Sequence, residues 1–135
     1  MRNETRVFGY IEVPTWSASN KKDIDEFNWS AINNLPEEGE WPWLIRGMFA
    51  QSPELVSYRG CIIHFGAAIK GIDEEWEQWL NKFESLLRNM YWHSVELKLK
   101  TEYVGDHELS WVAILPEKLN AVEEWEFFGG PRRFE

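Results

Sequence analysis

The chain has 135 residues, of which 44% are hydrophobic and 16% aromatic, and carries a formal net charge of −9. This composition excludes a disordered chain, and the length suits a single domain with one core. The acidic balance argues against binding nucleic acid through a basic surface, and no stretch approaches the roughly 20 apolar residues that cross a bilayer.

The N-terminal MRNETRVFGYIEV has no basic region leading into an unbroken apolar run, so no signal peptide is expected. Within it, residues 6–13 alternate and read as a strand ended by Pro14. Residues 14–22 read as a polar loop. Asp23 to Leu35 predicts a short helix, with Phe27, Ala31 and Leu35 as its apolar stripe, Ile24 and Ile32 on the flank, and Pro36 as its stop. Residues 36–43, PEEGEWPW, read as a loop with a tryptophan on either side of Pro42. Residues 44–50 fit either a helical turn or a strand. Residues 55–70 read as extended, with Gly60 placed to make a bend or bulge.

Residues 73–90, DEEWEQWLNKFESLLRNM, carry Trp76, Trp79, Leu80, Phe83, Leu86, Leu87 and Met90 at helical spacing, which predicts one long amphipathic helix. Asp73 fits its N-cap, the first turn is acidic, and Glu84 can pair with Arg88 one turn on. Residues 94–103 alternate cleanly. Val95, Leu97, Leu99, Thr101 and Tyr103 form a face to be buried; Glu96, Lys98, Lys100 and Glu102 form a wet one. After a turn at Gly105-Asp106, Leu109 to Leu115 returns as the second strand of an antiparallel hairpin. Residues 117–126 read as a short helix, and the tail from about 129 to 135 as loose. The order predicts an α+β fold over residues 1–135. A mostly antiparallel sheet carries the long helix and one or two shorter helices on one face.

The lone cysteine, Cys61, lies three residues before His64. One cysteine forms no internal disulfide, which fits a reducing compartment, and the expected location is cytoplasmic. In a strand, an odd offset puts Cys61 and His64 on opposite faces, so they make neither a dyad nor a shared metal site unless Gly60 or Gly66 bulges. Cys61 then reads as a small buried hydrophobe. His64 reads as a hydrogen-bonded strand residue, or alternatively as a group at the floor of a pocket. His93 and His107 supply no ligand spacing with it, and no metal and no cofactor are expected. The chain holds no GxGxxG, Walker, GxSxG or HExxH motif.

Nine tryptophans are the unusual feature. Trp76, Trp79 and Trp111 fall on inner faces. Trp41 and Trp43, beside Glu37, Glu38 and Glu40, have the makings of an acid-rimmed interface anchor; the other reading is that their loop folds back and caps the core.

Taken together, WPWLIRGMFA, YRGCIIHFG, the EEWEQWLNKFE helix and the YWHSVELKLKTEY hairpin resemble small acidic immunity proteins of bacterial polymorphic-toxin systems over roughly residues 6–115. The resemblance implies a non-enzymatic protein that neutralises a cognate toxin by covering it, with a basic toxin domain as partner and no catalytic residues. The expected contact surface is Trp41, Trp43, Glu37, Glu38 and Glu40. The alternative is a small-molecule or glycan-binding domain, with enzymatic activity or without, whose aromatic pocket includes His64.

Overall fold

The structure, a computed structural model, describes residues 4–14, 21–37, 43–51, 60–102, 104–114, 125–132 and 134. Six described strands form one antiparallel sheet. They are β1 (Glu4–Pro14), β2 (Phe49–Gln51), β3 (Gly60–Lys70), β4 (Ser94–Lys100), β5 (Asp106–Ala113) and β6 (Trp125–Gly129), in the order β2-β3-β1-β4-β5-β6. Two α-helices, α1 (Lys21–Asn33) and α2 (Trp76–Leu87), complete an α+β architecture. Neither helix is long and apolar enough to cross a membrane.

The register explains the layering. Val7 pairs with Ala67 and Leu99, Val95 with Trp111, Trp111 with Phe127, and Phe49 with Phe65. Odd positions therefore face odd positions across all six strands, and a period of two gives each sheet face one parity. The odd face holds Val7, Ile11, Val13, Ile63, Phe65, Val95, Leu97, Leu99, Leu109, Trp111 and Ala113, all buried. Helix α2 lies on this face. Phe83 meets Phe65 at 5.1 Å and Trp111 at 5.4 Å between ring centroids, while Trp79 stacks on Trp76 and on Phe83. An unbroken chain of rings, Phe49–Phe65–Phe83–Trp111–Phe127, links β2, β3, the helix, β5 and β6. Each aromatic buries ~150–250 Å², so this spine is a leading apolar contribution to stability.

Several expectations are corrected. Residues 73–90 do not form one long helix. A 3-10 turn spans Ile72–Glu75, α2 has 12 residues, and Asn89 and Met90 bond back three residues to Leu86 and Leu87. Both ends tighten into 3-10 geometry, as helix termini commonly do, which leaves a helix of ordinary length. Glu84 does not pair with Arg88. It is buried and held by Arg132, while Arg88 lies over the Trp125 ring. On α1 the buried stripe is Ile24, Asn28, Ile32 and, just past the helix, Leu35; Phe27 is exposed against Tyr91. Asn28 enters that stripe because both its amide atoms are used. Its Oδ1 accepts from the Tyr91 N–H at 2.8 Å and its Nδ2 donates to the Tyr91 carbonyl at 2.9 Å.

Residues 44–50 resolve into both of their alternatives, a 3-10 turn at Arg46–Met48 and the short strand β2. The predicted helix at 117–126 gives way to strand at Trp125 and Glu126, and residues 117–124 lie outside the described residues. The tail beyond Gly129 is anchored. Trp76 Nε1 donates to the Pro131 carbonyl at 2.9 Å, Arg132 clamps Glu84, and Phe134 packs against the core. Trp111 Nε1 also donates to Glu84, at 2.9 Å, so the buried carboxylate is satisfied from both sides.

Candidate functional site

The even positions make the other face of the sheet, and no described element covers it. Successive rows of cross-strand neighbours can be read from the register. One row runs Ala50, His64, Tyr10, Glu96, Ser110, Phe128, from β2 to β6. The next on one side is Ile62, Glu12, Ser94, Val112, Glu126. On the other side lie Gly66, Phe8, Lys98, Glu108 and then Ala68, Arg6, Lys100, Asp106. Phe8, Val112 and Phe128 are exposed at 37%, 41% and 50%, well above what a packed face tolerates.

Charge divides this face into two halves. Toward Arg6 the ions are matched: Arg6 with Glu4 at 3.8 Å, Lys98 with Glu108 at 3.3 Å, Lys100 with Asp106 at 4.0 Å. Toward Glu12 they are not. Glu12, Glu96 and Glu126 have no cationic partner among the described residues, and they surround Tyr10, Val112 and Phe128. The Tyr10 hydroxyl donates to Glu96 Oε2 at 2.5 Å. That hydrogen bond, then partial burial, then the charges of Glu96 and Glu12 push the Tyr10 phenol from 10.0 up to about 12.

Backbone approaches shape the face. A β-carbon at Gly9 would sit 1.9 Å from the Glu96 carbonyl oxygen, and one at Gly129 would sit 2.0 Å from that of Glu108. Each glycine lets its strand close on its neighbour where any side chain would collide. Beside Gly129 a shallow depression of about 270 Å³ opens on β4, β5 and β6, walled by Glu96, Lys98, Glu108, Ser110 and Phe128.

The sequence-predicted residues are dispersed relative to this face. Position 61 pairs with Val13 and His64 with Tyr10, in an unbroken register without a bulge at Gly60 or Gly66. The two positions therefore belong to opposite faces, and His64 stands exposed on the open one. It does not line the depression, which begins two strands away. Trp43 is half-buried, carries a positive φ of 75°, and packs against the core. Glu37 is exposed, 3.8 Å from Arg46, whose Nε donates to the Leu35 carbonyl. Glu38, Glu40 and Trp41 lie outside the described residues. Among the described residues no group of three or more His, Cys, Asp or Glu side chains is placed to hold a metal ion.

Sequence reasoning passed over Tyr10, Ser110 and Phe128. Alternation already put Glu96 on a wet face, but which side chains sit beside it depends on strand order, which alternation does not encode. No family model matches the chain, and neither a curated protein nor a solved structure matches it.

Proposed function

We propose that this chain is a binding protein that engages a basic protein partner through the open face of its sheet, in the half bearing Glu12, Glu96 and Glu126. The supporting observation is the coincidence, on one uncovered surface, of three carboxylates that have no cationic partner among the described residues with exposed Val112 and Phe128 and a half-buried Tyr10. Seven residues of β4 at ~3.4 Å each, across six strands at ~4.8 Å, bound the whole face at roughly 700 Å². The whole face approaches the ~800 Å² one protein contributes to a standard interface and exceeds what a small molecule covers, so a partner anchored on the acidic half has room to extend over the rest. Unmatched acids speed encounter with a cationic surface, and exposed rings supply the desolvated anchor.

The resemblance to immunity proteins narrows this to a role: occlusion of a cognate bacterial toxin. The loop residues Glu37, Glu38, Glu40, Trp41 and Trp43 belong to this proposal as a secondary contact. Trp43 packs against the core and is half-buried, so it contributes through the part of its ring that stays exposed. The pocket reading centred on His64 draws less support, since His64 lies on an open surface and outside the depression.

The test is affinity capture from the native host with the wild-type chain, the open-face double variant Glu12→Lys/Glu126→Lys, and a control, Glu74→Lys, on the exposed start of the helical layer. A basic protein retained by the wild type and the control and lost by the double variant supports the reading. Equal retention by all three overturns it. Coexpression should also relieve the captured protein's toxicity, and failure to do so removes the immunity role.

A further inference from the structure

We infer that the depression beside Gly129 is a subsite for one arginine side chain of the partner, an inference that rests on the binding reading above. Its walls meet the demands of a guanidinium. Glu96 and Glu108 are diagonal neighbours across β4 and β5, and Lys98 occupies the fourth corner, 3.3 Å from Glu108. Two carboxylates against one ammonium leave the depression an excess negative charge. Tyr10 uses Glu96 Oε2, which leaves Oε1 for an incoming donor. Ser110, opposite Glu96 on β5, adds a hydroxyl that can accept.

The third wall selects among cations. Phe128, next to Ser110 on β6, is half-exposed and makes no ring contact with another described aromatic. A planar guanidinium can lie on that ring and still aim in-plane N–H groups at Glu96. Either cation meets Lys98 as a like charge; a lysine ammonium differs in having no plane to stack and fewer donors to share. Gly129 completes the shape. Without a side chain there, β6 closes on the Glu108 carbonyl, and no side chain from position 129 intrudes on the depression.

The experiment is an amide NMR titration of the intact isotope-labelled chain with Nα-acetyl-argininamide. The matched probes are Nα-acetyl-citrullinamide, neutral and of similar shape, and Nα-acetyl-lysinamide. Expected are saturable shifts confined to residues 96–98, 108–110 and 128–130 with the arginine probe, at least threefold weaker with lysine and absent with citrulline. Phe128→Ala and, separately, Glu96→Gln should each weaken the arginine response roughly three- to fivefold, the range of one exposed cation–π or ion-pair contact. Shifts scattered over the surface, or equal with citrulline, overturn the subsite. The outcome is separable from the binding reading. A captured partner lost by the Glu12/Glu126 variant, together with no localised response to the arginine probe, removes the subsite alone. Arginine binding without any captured partner removes the binding reading alone.

Discussion

The Tyr10 hydroxyl on β1 donates across the strand pair to the Glu96 carboxylate on β4, in the middle of a row of side chains that crosses the open sheet face. The pair ties the two central strands together on the solvent side, and it leaves there an acid that has no cationic partner among the described residues.

This pair has a pH signature. The phenol sits at about 12 rather than 10.0, first because its proton is shared with Glu96, then because of burial and the nearby Glu96 and Glu12 charges. The raised value means the fold favours the neutral phenol. Its stabilising contribution is therefore complete below pH ~10 and is lost as pH rises from 10 to about 12. In an absorbance titration of tyrosinate, one of the four tyrosines should ionise late. Glu96→Gln should bring that step back toward the ordinary range. A late step that persists unchanged in Glu96→Gln would refute the assignment.

Glu84 is a buried acid on the inner face of α2, and its anchors come from β5 and the C-terminal segment. Arg132→Met removes the cation and leaves the carboxylate in an apolar setting. The expected cost is about 2–3 kcal/mol, below the ~3–5 of a fully buried pair because the guanidinium is partly in water. Thermal denaturation should show a fall of roughly 10 °C. Glu84→Gln, which keeps an acceptor for Trp111, should lose less.

Asn28 bonds both backbone groups of Tyr91 from within the apolar stripe of α1. Asn28→Ala should cost about 2–3 kcal/mol in urea denaturation, because both hydrogen bonds to the Tyr91 backbone are lost. Asn28→Asp keeps the acceptor for the Tyr91 N–H but sets a buried carboxylate oxygen against the Tyr91 carbonyl, so it too should destabilise the fold.

Gly9 faces Glu96 so closely that an alanine β-carbon would overlap the carbonyl oxygen. Gly9→Ala should reduce soluble yield sharply, or separate β1 from β4 and lower the midpoint of unfolding by more than any surface change. A variant with wild-type stability would show that the strands do not approach in this way.

Local pattern carried much of the fold. Strict alternation in SVELKLK located β4 and its buried face, and the Trp76–Leu87 spacing located the buried side of α2. The errors arose where long-range partners decide. Glu84 reads as a surface acid until Arg132, 48 residues away, is brought against it. Phe127 and Phe128 belong to no element expected from the sequence until β5 supplies an edge for them to pair with. The open face was half legible. Alternation marked the wet side of β4, but strand order β2-β3-β1-β4-β5-β6 alone places His64, Tyr10, Glu96, Ser110 and Phe128 in one row.

The most direct test of the central claim is a calorimetric titration of the captured basic protein into three chains: wild type, Glu12→Lys/Glu126→Lys, and the control Glu74→Lys. An open-face interface predicts at least a tenfold loss of affinity for the double variant, with folding intact by circular dichroism, and little change for the control. Undiminished affinity in the folded double variant would contradict it and would move the contact surface elsewhere on the chain.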